Sequence, residues 1–301
     1  MRKTWLWRAD ELSSNLGKPI QGAEHLWHYT TLETLPAILH EEGWCLRFSD
    51  YRFLNDPLEG KYYRDVFLTV AEEMLKEHGI SERLYSEVQK ADIPVERPFY
   101  KEETNSMQTG EYKTYIACFS SQNDSLPMWN YYAASSSGSC GIEFGSVNDL
   151  QNCLKKENGL HNIKTLRVIY DRKEQERCIR ELLGHLSLQD DNENIPFLLQ
   201  QFCIEAYLRF KQPACEYEQE IRLVCEVPEE REDKLPQRKF RNKNGLIIPY
   251  IDLFCSKKRC IKNVILGPLS SSKLSQIGVK DFLEYNKYNG NVLISEIKMR
   301  Y

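Results

Sequence analysis

Short apolar runs of strand character recur along the whole chain, with blocks of helical periodicity between them, and no other feature constrains the fold as much. HLWHYT, WCLRFS, TYIACFSS, CGIEF, KTLRVIY, EIRLVCEV, GLIIPYIDL, IKNVILG and VLISEIK all carry the β-branched and aromatic residues that favour strands. Between them, Val66, Phe67, Val70, Ala71, Met74 and Leu75 follow an i, i+3, i+4, i+7 rhythm, which predicts an amphipathic helix from Tyr63 to a stop at Gly79. A second helix starts at Ser81, two more are predicted near 172–188 and 196–210, and a last one near 273–284. Thr30 or Thr31 is placed to cap a helix through Leu35, Ile38 and Leu39 that stops at Gly43. MWNYYAA reads as a short helix, residues 216–222 as extended strand, and PEEREDKLPQRKFRNKNG as a charged, mobile loop.

Strands spread over the full length with helices grouped between them predict an α+β fold, read as one domain over 1–301 with helical insertions at about 61–98 and 171–211. No repeat of fixed period is present, and neither a G-x-G-x-x-G nor a G-x-x-x-x-G-K-[ST] loop occurs, which excludes dinucleotide-fold and P-loop readings.

With 41% hydrophobic and 28% charged residues the chain has the composition of a folded domain. Its formal charge of −4 argues against holding nucleic acid by a global positive field, leaving only a local basic strip, Arg238, Lys239, Arg241 and Lys243. The ten cysteines form no C-x-x-C pair, so neither zinc nor a redox couple is indicated; several lie in apolar strand-like runs, where free cysteine behaves as a small buried hydrophobe, and a reducing compartment fits best. No apolar run approaches the ~18 to 20 residues of a membrane span, and MRKTWLWRADELSS lacks the apolar core of a signal peptide. The expected setting is cytoplasmic, away from any membrane.

Four stretches hold residues of chemical interest. His28-Tyr29-Thr30 lies at a strand-to-helix junction, where a core histidine and a capping threonine compete with a binding role. Asn55-Asp56-Pro57-Leu58-Glu59 is either a turn or a loop presenting carboxylates. In Met128 to Ala133, Trp129 and Tyr132 share a helical face and either bury area or stack on a planar ligand. In an extended strand Glu218, Glu220 and Arg222 point one way, either as solvated surface charges or as a pocket carboxylate with a guanidinium that orients it or a phosphate.

Taken in order, HYTTLETLPAILHEEGWCLRFSDYRFLNDPLEG, CFSSQNDSLPMWNYYA, GSCGIEF, EYEQEIRLV and IKNVILGP resemble a widespread bacterial family of formerly unknown function, grouped with ADP-ribosyltransferase-like folds. The resemblance implies a split antiparallel sheet, NAD as substrate with no metal, and a role in phage defence or a toxin system, with a cognate inhibitor or operon partner. It implies that His28 and Thr30, with Tyr29, contact the cofactor, and that Tyr132, or Trp129 or Tyr131 in its stead, stacks on nicotinamide. Glu220 is then the catalytic glutamate, with Glu218 its rival, and His28 belongs to the catalytic set as well as to the cofactor contacts. Cys215 stands where the family often has tryptophan. Arg47 and Arg222 are the expected diphosphate partners, and Asn55 and Asp56 belong to the implied binding loop. The chemistry is cleavage of the nicotinamide–ribose bond, in which a fixed carboxylate opposes positive charge developing on the sugar. That assignment requires His28 and Glu220 to meet across one cleft. The acceptor is a protein, a nucleic acid or water. Two other readings are a non-catalytic nucleotide sensor with the same fold and a nucleic-acid-processing enzyme holding a metal on Asp56, Glu59 and Glu220.

Overall fold

The computed structural model describes residues 25–54, 61–93, 96–101, 106–132, 138–160, 163–189, 192–228, 236–243 and 245–298. In chain order the elements are β1 (Leu26–Thr31), α1 (Leu35–Ile38), β2 (Leu39–His40), β3 (Gly43–Asp50), α2 (Tyr62–Lys76), α3 (Glu82–Lys90), β4 (Glu96–Lys101), β5 (Ser106–Ser120), α4 (Leu126–Tyr132), β6 (Ser139–Phe144) and α5 (Val147–Asn158). They continue as β7 (Ile163–Arg167), α6 (Arg172–Ser187), α7 (Ile195–Arg209), β8 (Glu220–Pro228), β9 (Lys239–Lys243), β10 (Leu246–Cys255), β11 (Ile261–Leu266), α8 (Lys273–Tyr285) and β12 (Asn291–Ile294). The fold is α+β. Contacts divide the described residues into two compact units, one within 54–110 and 167–216, the other within 25–53, 111–166 and 217–298.

The first unit contains both helical stretches read from periodicity. Val66, Phe67, Val70 and Ala71 of α2 pack with Leu84 and Val88 of α3, Ile179, Leu182 and Leu183 of α6, and Leu199, Phe202 and Cys203 of α7 in one core. Ser81 caps α3 as expected, its hydroxyl accepting from the Leu84 N–H. The strand β4 has no counterpart in the sequence reading.

The second unit is built on a sheet ordered β12-β11-β6-β1-β5-β3-β10-β9, with β2 added to β3 and β8 to β5. The strands named here pair antiparallel, except β11 and β12, which run parallel. One face buries Leu26, Leu46, Phe48, Phe119, Ile142, Ile221, Leu223 and Leu253 under α5, whose Val147, Leu150, Cys153 and Leu154 join the same core, and under Val279 and Leu283 of α8.

Several local expectations are corrected. α1 is one turn, not a helix running to Gly43: the chain turns extended at Leu39, and Thr31 accepts the Thr34 N–H from outside the helix. α5 went unread because its apolar residues are few and flanked by polar ones. Residues 216–222 are not one strand, since 213–218 form a 3-10 turn and Gln219 takes φ +43° before β8 begins. Part of the supposed mobile loop is β9. The cysteines are not all free: Cys153 and Cys255, 102 residues apart with Cα atoms 6.2 Å apart, form a disulfide between α5 and β10. Among the described residues no helix is long and apolar enough to cross a membrane.

Candidate functional site

The sheet face opposite the main core carries the polar chemistry. β5 and β8 pair with Cys118 opposite Arg222, Phe119 opposite Ile221 and Ser120 opposite Glu220. Because alternate residues share a face, Ile221 and Phe119 enter the core while Glu220, Arg222, Cys118 and Ser120 lie on the other side. Trp27 pairs with Ser120, so Trp27 and Tyr29 of β1 join that second face, where they cluster with Met128, Trp129 and Ile265.

Helix α4 is pinned onto this face at its start. The Tyr29 hydroxyl donates to Gln122 O at 2.9 Å and accepts from the Ser125 N–H at 3.1 Å. Trp129 Nε1 donates to Asp124 Oδ1 at 2.7 Å, and its ring meets Tyr29 edge-on at 4.6 Å between centroids. Gly141 makes room for Ile265 in the same cluster: a Cβ there would stand 2.9 Å from Ile265 Cγ2. With the start of α4 held, its last residue, Tyr132, reaches the chain just before β8.

There Tyr132 donates from its hydroxyl to Glu218 Oε1 at 2.9 Å. Burial first, and then the negative charges of Glu218 and Glu220, raise the Tyr132 pKa, so the phenol stays protonated as a donor. Glu218 is fixed through its backbone as well, Ser120 Oγ donating to its carbonyl at 2.7 Å, while the Ser121 N–H donates to the Gln219 carbonyl at 3.1 Å. These bonds hold the left-handed residue and turn the chain from 3-10 coil into strand. Glu220 receives both Nε (3.1 Å) and Nη2 (2.9 Å) of Arg222, a two-bond pairing with both residues buried. The surface-charge reading of this strand is therefore excluded. Beside Glu218, Tyr217 stacks on the exposed Tyr131, with centroids 5.5 Å apart and planes at 24°.

Not every expected residue is here. His28 pairs with Ile142 and packs against Phe119, 5.6 Å between centroids, so it faces the core side of the sheet, opposite to Glu220. Its Nδ1 lies 3.0 Å from Cys118 O; a carbonyl only accepts, so Nδ1 carries the proton. Burial lowers its pKa against the opposing pull of that bond, so the imidazole is neutral. The single cleft expected for residues 28 and 220 is not what the strand register gives. Thr30 is buried on the His28 side, opposite Cys140. Trp129 is packed and hydrogen-bonded rather than presented to a ligand, and Arg222 is engaged by Glu220. Arg47 lies on β3, its guanidinium 4.2 Å over the Tyr250 ring. Asn55, Asp56 and Glu59 lie outside the described residues. The sequence reading missed Tyr217 as a site residue; its place beside Glu218 was the available signal, hidden by the assumption of straight strand.

Among the described residues, Cys153, Glu157 and Cys255 bring possible metal-ligand atoms within 4.8 Å of one another, but the two sulfurs are bonded together and Glu157 accepts from Ser256 N and Oγ. A cavity of about 250 Å³ lined by Lys258, Arg259, Ile261, Lys262, Lys287 and Asn289 contains none of the expected site residues.

Residues 128–223 match the family model of a protein of unknown function, DUF2971. The matched stretch begins inside α4 and ends inside β8, so it contains Tyr132, Glu218, Glu220 and Arg222. No curated protein and no solved structure matches the chain.

Proposed function

We propose that this protein breaks the bond between nicotinamide and ribose in NAD and passes the ADP-ribosyl group to an acceptor, as an ADP-ribosyltransferase or, with water as acceptor, an NAD glycohydrolase. What supports this reading is one observation: the Tyr132 phenol is hydrogen-bonded to the buried Glu218, two residues before the buried Glu220, beside the stacked pair of Tyr217 and the exposed Tyr131. The C1′–N bond breaks with its electron pair leaving on nicotinamide, which discharges the pyridinium. Positive charge passes to the ribose, and Glu220, held by Arg222, opposes it. The acceptor's lone pair closes on C1′ and its proton goes to Glu218. Tyr131 and Tyr217 offer a planar surface for the departing ring. The resemblance put His28 in the same cleft as Glu220, and the strand register puts it on the other face of the sheet. The family's histidine-dependent form of the step is therefore given up, the reading rests on the two carboxylates and the phenol, and His28 ties β1 to β5 through the Cys118 carbonyl. A role in phage defence or a toxin system, with a cognate partner, follows from the family resemblance alone.

The test is nicotinamide release from NAD by the full chain and by Glu220→Gln, with circular dichroism to verify the fold. Release by the parent and its loss in the variant support the reading; equal release from both would reject the role of Glu220. The engagement of both Glu220 oxygens by Arg222 favours a second reading, a sensor that binds the nucleotide without cleaving it. Saturable NAD binding with no nicotinamide formed would select it.

A further inference from the structure

The face that carries Glu220 and Arg222 does not end at β5. Ile116, on that face, pairs with Ser49 of β3. From Ser49 it continues to Arg47 and, across the pairings Tyr250–Ser49 and Asp252–Arg47, to β10. Lys239, Arg241 and Lys243 of β9 pair with Tyr250, Ile248 and Leu246, so all three stand on the same side. The basic strip that read as a loop is thus an ordered edge strand at the end of the sheet path, facing the same way as the two-carboxylate site's Glu220.

Three features of this surface point to a ligand. First, four cations gather here, Arg47, Lys239, Arg241 and Lys243, with Asp252 3.8 Å from Arg47 Nε and 3.0 Å from Lys239 Nζ. Burial and then Arg47 push the Arg241 pKa down, and burial and then Arg241 do the same to Lys243, the mark of cations crowded together. Second, Arg241 Nη2 donates to Ser49 Oγ at 3.2 Å while its buried Nε has no partner among the described residues. Third, the Arg47 guanidinium is held 4.2 Å over the Tyr250 ring and remains exposed, a planar group on which a base can stack. The cations on β9 recur at every second residue, roughly 7 Å apart in a strand, a spacing of the same order as successive phosphates in an extended polynucleotide.

We propose that the polar face of β3, β10 and β9 binds a single-stranded nucleic acid, with Lys239, Arg241 and Lys243 on its phosphates and Arg47 stacked on a base. An acidic peptide or an anionic membrane would use the charges but not the guanidinium plane. The binding stands by itself; that the bound strand is the acceptor of the ADP-ribosyl group rests on the reading of the site proposed above.

Fluorescence anisotropy of a labelled single-stranded oligonucleotide of mixed sequence, as RNA and as DNA and without NAD, tests it across a salt series. The full chain is expected to bind, and R241E/K243E to lose at least tenfold in affinity. The slope of log K against log salt is expected to flatten by about 0.7 for each phosphate contact removed. R241Q/K243Q, which perturbs the fold less, is expected to lose affinity in the same direction. Lys280→Glu, an exposed residue of α8, is a single-charge reversal away from this face and is expected to bind as the parent does. No binding by the parent, unchanged affinity in R241Q/K243Q, or a loss in Lys280→Glu equal to that of R241E/K243E would overturn the proposal. So would tighter binding to polyglutamate or phosphatidylserine vesicles than to the oligonucleotide. Because no NAD is present, failure here leaves the glycosidic reading untouched, and failure of nicotinamide release leaves this one untouched.

Discussion

Tyr132 closes α4 and Glu218 closes the turn before β8, and a 2.9 Å hydrogen bond from the phenol to the carboxylate joins the two. Residues 86 apart in sequence thereby share one partly buried contact, and it sets the geometry of the candidate site.

Tyr132→Phe deletes that donor and leaves Glu218 Oε1 buried without it. Loss of a partner to a buried charged group costs on the order of 1–3 kcal/mol, so thermal unfolding should occur several degrees lower. If the proposed chemistry holds, nicotinamide release should fall with it. An unchanged melting temperature would show that the bond contributes nothing.

Arg222 and Glu220 form a second coupled pair, both buried. Arg222→Met should destabilise by roughly 3–5 kcal/mol because it takes the paired guanidinium away from a buried carboxylate. Combining it with Glu220→Gln should recover much of that loss. Urea unfolding of the two single variants and the double variant gives the coupling energy, and strict additivity would refute the pairing.

His28 predicts the acid limb of stability. Its folded pKa is lowered by burial, so below the unfolded value of 6.5 the unfolded chain takes up a proton that the folded chain refuses. This contribution is complete above pH 6.5 and is lost as pH falls below it. His28→Asn, which keeps a donor for the Cys118 carbonyl but does not titrate, should flatten the curve of unfolding free energy against pH in that range. An identical curve for both proteins would contradict the assignment.

The disulfide makes a counting prediction. Denatured without reductant, the chain should take up alkylating agent at eight cysteines, and after reduction at all ten. Reduction should also lower stability by about 2–4 kcal/mol, since it frees a long loop in the unfolded state. Intact-mass spectrometry reads the first outcome and calorimetry the second. Ten labels without reductant would mean that the two sulfurs are thiols.

Much of the fold was legible because it rests on local periodicity. Val66 to Leu75 could only present one apolar stripe as a helix, and EIRLVCEV could only bury alternate residues as a strand, whatever surrounded them. Sequence also singled out Tyr132, Glu218, Glu220 and Arg222, two pairs that the fold brings into contact. What it could not supply was which residues meet. Gln219 takes a left-handed turn because Ser120 and Ser121, a hundred residues earlier in the chain, bond the carbonyls on either side of the break. His28 and Glu220 part company because β1 and β8 both flank β5, with Trp27, not His28, in register with Ser120. The basic strip became a strand because β10 offered it an edge to pair with. Patterning along the chain therefore determined the elements and their buried sides, since each depends on neighbours a few residues away. Strand register and face were decided only by the tertiary structure, because hydrogen bonds between distant strands select one alignment, and a shift of one residue reverses every side chain.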